Sequence, residues 1–546
     1  MRPFPREVSA ASASGRSAGS GTGRRDRFVR QAGLTSLAAA ASVASGLVLD
    51  VTVAASFGAG RATDAFFVAA RIPFALVTML LVSANQALVP TFSVSLVKRG
   101  ERETWRLATR LIIAVLVGGG LLVALIGVAA EPLMRVTAPG LSADQVTLAA
   151  SLARITFAIV PLVGVAEVLR AVLNARRATV APAAMDVVMN GLAACLIIAT
   201  AHGDIHRVAV AFVAGAAAQL AYLLAVAYAH GFRLQPTLSL RDPELLATAR
   251  LCVRPMVGAG LNPVARVGEQ LMVSFLPSGS ISVLNYGYRL ISAVGGTVFF
   301  RSVMVTVLPR LSEATARDDE AEVKRLAGLG VRLMLTVSIP LTAFLAVLAK
   351  PAVLVVFQRG SLTRDGASLL GLVLAIYSAS LIGSAIQRAL LAPFFARLDT
   401  RTPLRNTTYG IVANLLFLPA FVLPFGLHSA NAVLGVALAY SLAQYVNVAH
   451  AWFRVRGVVG DPLAGVSGWL TRLLCASLVS GGVMAGAYAV FRLDTPWPRT
   501  ELLARTAGVG AGGLVVLGAA ALLLSRAEVV WFRGRLRPDR RRLEGA

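Results

Sequence analysis

Eleven ionisable side chains stand inside otherwise apolar stretches of this sequence: Asp50, Asp64, Arg71, Arg154, Glu167, Asp186, Arg266, Glu269, Arg289, Arg301 and Arg388. Charge in such surroundings is costly, so each must face a water-filled cavity or a partner. The chemistry open to this set is recognition of an anion, because an arginine fork matches phosphate oxygens two at a time. Arg71 and Arg289 follow Gly60 and Gly279 by 11 and 10 residues. If the two glycines are equivalent points of a repeat, both arginines face one central cavity. The competing readings are that either arginine snorkels to a membrane interface, or that Arg71 pairs with Asp64. Arg266 and Glu269 are three apart on one helix face; they form either a self-neutralising structural pair or part of the same site. Arg170, Arg301 and Arg388 fall near the expected cytoplasmic ends of their helices and read as interfacial.

Nothing in the sequence points to an enzyme. The five histidines lie at helix ends or in loops without ligand spacing, and no metal or cofactor motif appears. Cys195, Cys252 and Cys475 form no close pair and read as small core residues. GVGAGG (508–513) sits in an apolar run rather than between a strand and a helix, so it reads as a helix-packing surface and not a phosphate loop.

The elements that must position these charges are membrane helices. Of the 546 residues, 56% are hydrophobic and 14% charged, and the mean hydropathy is +0.72; soluble domains carry about 25% charged residues. A spanning helix needs roughly 20 predominantly apolar residues, and such runs recur at 31–57, 64–90, 107–129, 147–172, 180–201, 207–229, 250–276, 280–306, 330–349, 366–394, 406–425, 430–452, 467–490 and 504–525. The fold class is therefore all-α and polytopic, with about fourteen transmembrane helices. The net charge of +25 lies largely in short loops, such as Lys98–Arg106, Arg310–Arg325 and Arg397–Arg405, which alternate with loops poor in basic residues. That pattern orients a chain in a bilayer with both termini in the cytoplasm; it does not indicate nucleic acid as a partner. Residues 1–27 and 527–546 read as basic cytoplasmic tails, the first of them disordered.

An internal repeat organises the spans. Gly60 and Pro90 are 30 residues apart, as are Gly279 and Pro309, and Ser-Phe precedes each glycine. Arg170 and Arg388 are offset by 218, and Pro182 and Pro403 by 221. An offset of six helices preserves direction, so two parallel six-helix lobes are expected, at 28–232 and 245–456, with two extra helices at 465–526. Parallel repeats around a midplane site are a transporter architecture.

Six segments carry a family likeness. FGAGRATDAFFVAARIP (57–73), SGSISVLNYGYRL (278–290) and FFARLDTRTPLRN (394–406), with ALVPTF (87–92), VLPRLS (307–312) and FQRGSLT (357–363), resemble the MurJ/MviN family across roughly residues 30–525. The resemblance implies a fold of two six-helix lobes plus two helices, as in the MOP superfamily. It also implies transport of lipid II, the undecaprenyl-pyrophosphate-linked peptidoglycan precursor, across the bacterial cytoplasmic membrane. The implied partners are that polyprenyl-pyrophosphate-linked glycan, the bilayer and cell-wall synthesis proteins, with no cofactor beyond a coupling ion or the membrane potential. The substrate contacts it implies are Arg289, Arg71, Arg266, Glu269, Asp64 and Asn285. Two departures stand out. The family's first helix usually reads Ser-Arg-x-x-Gly-x-x-Arg-Asp, whereas SVASGLVLD (42–50) has Val43 and Leu49 at the arginine positions. The second helix, FALVTMLLVSAN (74–85), has neither the usual Arg pair nor the Glu-Gly. Other readings therefore stay open: a flippase for another lipid-linked glycan, a non-transporting scaffold, or a cation-coupled antiporter on the same fold.

Overall fold

The computed structural model describes residues 20–201, 203–233, 242–295, 300–462, 464 and 467–524. Helices account for nearly all of it, since unpaired backbone cannot face lipid. In the first half they are α1 (Ser20–Phe57), α2 (Arg61–Ser83), α3 (Val89–Thr137), α4 (Ala143–Thr156), α5 (Ile159–Ala175), α6 (Val180–Thr200) and α7 (Ile205–Ala229). The second half holds α8 (Pro243–Val273), α9 (Ser280–Ala293), α10 (Phe300–Ala316), α11 (Glu320–Phe357), α12 (Arg364–Ala396), α13 (Arg401–Val422) and α14 (Ala432–Val459). Then come α15 (Ser467–Val490) and α16 (Arg499–Leu524).

Eleven helical stretches are long and apolar enough to cross a membrane among the described residues. One of them, Arg61–Thr137, contains two crossings, because the chain turns at Gly100 with φ 83°, a left-handed value that glycine adopts without Cβ strain. Thr104 Oγ1 donates to Ser95 Oγ across that turn (2.9 Å). With α8, and with α9 and α10 counted together as one, the crossings among the described residues number fourteen. α8 carries Asn262, Arg266 and Glu269 among its apolar residues, and α9 and α10, of 14 and 17 residues, are each shorter than a crossing.

Several helices outrun their expected spans. α1 starts at Ser20, so residues 20–27 are helical instead of belonging to a disordered tail; residues 1–19 and the tail 527–546 lie outside the described residues. α11 begins at Glu320 rather than 330, where Asp319 caps it by accepting from Glu322 N (2.9 Å).

Corresponding helices have corresponding neighbours. α1 packs on α6 as α8 packs on α13; α3 on α5 as α11 on α12; α6 on α7 as α13 on α14; α5 on α7 as α12 on α14. In the added pair, Gly513 brings α16 against Met484 of α15, and its carbonyl accepts from Ser480 Oγ (2.7 Å). GVGAGG is thus a packing surface, as expected. Cys195 and Cys475 are exposed rather than core; in a lipid-facing wall a small apolar side chain is stable on the outside of the bundle.

The two halves meet tightly at one end, that of the loops after α1, α3, α8 and α11. Ser361 N donates to Ala55 O (2.8 Å) and Ser361 Oγ to Ser56 O (2.9 Å). Gly140 N donates to Ser274 Oγ (3.0 Å) and Tyr286 Oη to Gly58 O (3.3 Å). Gly360, at φ 53°, lies so close to Ala55 O that a Cβ would come within 2.1 Å of it. Phe67, Tyr286 and Phe357 stack edge-on or tilted behind this seam, with centroids 5.3 and 6.0 Å apart.

Candidate functional site: a polar cavity between the halves

Behind the seam, α2, α8 and α9 enclose a cavity of about 510 Å³, and Arg71, Arg266, Arg289 and Asn285 all line it. α2 and α9 each begin at a repeat glycine, so residues about three turns further on come level with one another. α8 reaches the same depth with Pro255 and Pro263 inside it.

Each arginine is held differently. Arg289 Nη1 donates to Asp50 Oδ1 (2.5 Å); a third of the Arg289 side chain is exposed against 8% for Asp50. The pair therefore anchors one edge of a guanidinium whose other N–H groups face the cavity. Arg71 Nε donates to Gln270 Oε1 (2.9 Å), and Gln270 Nε2 donates to Thr137 O (3.3 Å). Arg71 thus takes neither of the alternatives, the Asp64 pair or the interface. Arg266 and Glu269 do form an ion pair, both oxygens 3.3 Å from Nη1. The Arg266 guanidinium also stacks on Tyr288, 3.3 Å from the ring centroid, with Tyr440 at 4.8 Å. Its Nη2 is buried without a protein partner. Three guanidiniums against the carboxylates of Asp50 and Glu269 leave the site one positive charge in excess. Glu269 lines a narrow crevice with Arg71, Arg266 and Asn285, and Asn285 Nδ2 donates to Ile281 O (2.7 Å).

Asp64 is not brought to this cavity. It is 2% exposed and accepts from Gly279 N (2.5 Å), Ser282 N (2.8 Å) and Ser282 Oγ (2.6 Å). Its carboxylate caps α9, where the helix dipole and free N–H groups favour negative charge. The expectation that it touches substrate is corrected accordingly: its three hydrogen bonds all go into a joint between the halves.

The remaining intramembrane charges are distributed. Arg170 pairs with Glu167 and Asp186 accepts from Gln219 Nε2 (3.1 Å) inside the first half. Arg154 Nε donates to Gly127 O (3.1 Å). Arg388, expected at an interface, lines a second cavity of about 650 Å³ among α8, α9, α10, α12, α13 and α14. Arg301 falls in α10, with its side chain outside the described residues. Sequence reasoning missed the stacking tyrosines, Gln270, and Asp50 as the partner of Arg289; a lone acid in the first apolar run was the one signal available.

The departures in the first helix have a structural counterpart. Leu49 is 1% exposed, within the core, while Ser42 Oγ donates to Ala183 O (2.8 Å) and Asn190 Nδ2 to Ser45 Oγ (3.1 Å). This part of α1 is fastened to α6 by small polar residues and contributes no cation.

Comparison with known proteins agrees with this architecture. The family model described as "Lipid II flippase MurJ" matches residues 53–504. A probable lipid II flippase MurJ of Vibrio cholerae is 27% identical over 498 residues, covering 88% of this chain and 91% of the relative. A lipid II flippase MurJ of Burkholderia cenocepacia is 26% identical over 480 residues, covering 86% and 91%. Among solved structures, "Lipid II flippase MurJ, inward closed conformation" superposes with a TM-score of 0.76 at 21% identity, covering 91% of this chain and 99% of that one. An inward-facing multidrug resistance MATE transporter of the MOP superfamily gives 0.64 at 14% identity, covering 78% and 96%. On the match over most of its length, the chain is a multi-pass membrane protein that belongs to the lipid II flippase MurJ family.

Proposed function

We propose that this chain moves lipid II across the bacterial cytoplasmic membrane by alternating access. Its two lobes, residues 28–232 and 245–456, rock about the central cavity, and both termini face the cytoplasm. It acts as a transporter and catalyses no bond change. The observation that carries the reading is the convergence of Arg71, Arg266 and Arg289 on one cavity between the lobes.

A diphosphate entering there meets the free edge of Arg289 while Asp50 holds the other edge, so the fork is oriented before the ligand arrives. Arg71 is set by Gln270, and Arg266 by Glu269 and two aromatic rings. Asn285 adds a neutral donor or acceptor. Orientation in advance matters, since side chains ordered only on binding weaken it by about 0.5–1.5 kcal/mol each. With the basic loops taken as cytoplasmic, the closed seam lies at the outer face. The Asp64 joint then keeps the cavity shut on that side until the lobes part.

Val43 and Leu49 favour one second reading, a different polyprenyl-linked glycan. Without the first-helix arginines, charge-assisted bonds worth roughly 1.5–3 kcal/mol each are absent, and a differently disposed head group is recognised. Complementation separates the two. Expression in a strain depleted of its own lipid II flippase restores growth if lipid II is the cargo. Failure at normal membrane levels of the protein rejects lipid II as the cargo.

A further inference from the structure

Two acids and one base stand together in the first half, and none of them lines either cavity described above. α5 carries Glu167 and Arg170, α6 carries Asp186, and Gln219 of α7 completes the group. Glu167 is 3% exposed, and Arg170 Nε donates to its Oε2 (2.7 Å). Arg170 Nη2 also donates to Leu81 O (3.4 Å). The guanidinium offsets one carboxylate, so with Asp186 ionised the group keeps one negative charge in excess, which is costly at membrane depth.

The Gln219 amide shows what offsets that charge. Gln219 is 1% exposed, and its Nε2 donates to Asp186 Oδ1 (3.1 Å), while its Oε1 is buried with no hydrogen-bond partner in the protein. Buried polar atoms are paired in the great majority of cases. Turning the amide over gives no relief, because its oxygen would then meet a carboxylate oxygen and its N–H groups would be left unpaired. A carboxyl group and a carboxamide joined by one N–H···O bond are half of a cyclic pair. The other half is an O–H donated by the acid to the amide oxygen, and it needs a proton on Asp186.

Asp186 is placed to take that proton from water. It is exposed, although Ala193 and Ile197, seven and eleven residues further on, are buried. At 3.6 residues per turn these three share one helix face, so Asp186 looks into the bundle rather than out to lipid, at a level that water reaches. It lies six residues from the start of α6, near the Arg176–Arg177 turn, which is the cytoplasmic end in the orientation taken above. The groups that act on it from the packed helices are Glu167 and Arg170 of α5 and Gln219 of α7. α1 adds the neutral hydroxyls of Ser42 and Ser45, which are bonded to Ala183 O and Asn190 Nδ2. A hard metal cation takes about six or more oxygen ligands and would stand beside the Arg170 guanidinium; a proton needs one acceptor, and Gln219 Oε1 is there.

We propose that Asp186 is a proton-binding site of the N-terminal lobe. One proton from the cytoplasmic side joins its carboxylate, and the O–H so formed donates to Gln219 Oε1. Binding removes the excess charge and gives α6 and α7 a second hydrogen bond; release restores the charge and orphans the amide oxygen again. The side of access rests on the orientation proposed above, whereas binding itself depends on neither orientation nor cargo.

The test is pH-difference infrared spectroscopy of the full chain in lipid nanodiscs without any lipid-linked cargo, since protonated carboxyl groups give a C=O band that carboxylates lack. One such band is expected to appear as pH falls, to shift on exchange into heavy water, and to vanish in Asp186→Asn. Asparagine has the shape of the protonated acid and also donates to Gln219 Oε1, so this variant is expected to reach the membrane at the wild-type level. Gln219→Leu removes the acceptor and is expected to weaken proton binding at least tenfold; it carries the test alone if Asp186→Asn does not fold. Absence of the band from the wild-type chain, its survival in Asp186→Asn, or a Gln219→Leu affinity within twofold of wild type overturns the proposal. So does a band displaced by sodium at constant ionic strength, which makes the group a metal-cation site. Because no cargo is present, a failure of the complementation above rejects lipid II as cargo and does not alter this result.

Discussion

Among the contacts that hold the seam at one end of the molecule, the Asp64 carboxylate is the charged one, and Asp64→Asn measures how strongly it contributes. Asp64 takes three hydrogen bonds from the start of α9, at 2.5, 2.8 and 2.6 Å. Asparagine keeps one oxygen, which can still serve Ser282. Its amide then presents N–H groups to the Gly279 N–H, so that bond is lost outright. Hydrogen bonds to a charged group contribute about 1.5–3 kcal/mol and neutral ones about 1. One bond lost and two weakened therefore cost roughly 3–5 kcal/mol. The cost falls on the state with the seam closed, because the bonds join the two lobes and break when they part. At 1.4 kcal/mol per tenfold, and allowing for water taking up part of the loss, the open-seam population rises at least tenfold. The assay is labelling of an Asn285→Cys cavity thiol from outside intact cells with an impermeant maleimide, the three native cysteines being replaced by alanine. Labelling should be slow in this parent and at least ten times faster once Asp64→Asn is added. Ser282→Ala, which removes only the hydroxyl bond, should fall between. Equal rates at equal protein levels would refute the reasoning, because the seam would then be held by something other than this joint.

Three further substitutions bear on particular features. Gly360→Ala places a Cβ at φ 53° within 2.1 Å of Ala55 O, so it should speed labelling of the same thiol in the same direction as Asp64→Asn. Leu49→Arg, which restores the family residue, should lower the amount of folded protein in the membrane, since a buried unpaired charge costs several kcal/mol; Val43→Arg, on a partly exposed position, should be tolerated, and immunoblotting of membranes compares them. Asp399→Ala at the turn before α13 should cost about 1 kcal/mol in a thermal or denaturant scan, because Asp399 accepts from Thr402 Oγ1 (2.6 Å) and from the Arg401 and Thr402 backbone N–H groups (2.8 and 3.2 Å). Those bonds, the Thr402 hydroxyl first, hold its carboxyl below the usual range; the stabilisation is full above the ordinary aspartate value and fades as pH falls through the lowered one.

The helices and the charges among them were legible in the sequence because both are local signals. Twenty apolar residues in a row can do little else in a bilayer, and an arginine within such a run must be near water or a partner. The repeat glycines likewise pointed Arg71 and Arg289 to one place. Partnership was not legible. Asp50 and Arg289 are 239 residues apart, and nothing local marks a carboxylate as the mate of one arginine among many. Asp64 was misjudged for a related reason: an acid that caps a distant helix and an acid that binds a ligand have the same sequence appearance. The amides among the lining of the second cavity, Asn262, Gln387, Asn414, Gln444 and Asn447, escaped notice because Asn and Gln carry no charge to stand out against the apolar background.

The central claim is that Arg289 meets the diphosphate of a lipid-linked glycan in the course of transport. Arg289→Ala alone is a poor probe, because it strands a buried Asp50, a defect that costs roughly 3–5 kcal/mol by itself. The double variant Arg289→Ala with Asp50→Asn removes both charges and leaves the surrounding packing in place. The decisive measurement is the rate at which lipid II becomes accessible to an impermeant hydrolase outside cells depleted of their own flippase. The wild-type chain should restore that rate, and the double variant, at an equal membrane level, should be at least tenfold slower. A double variant that exposes lipid II at the wild-type rate would contradict the account.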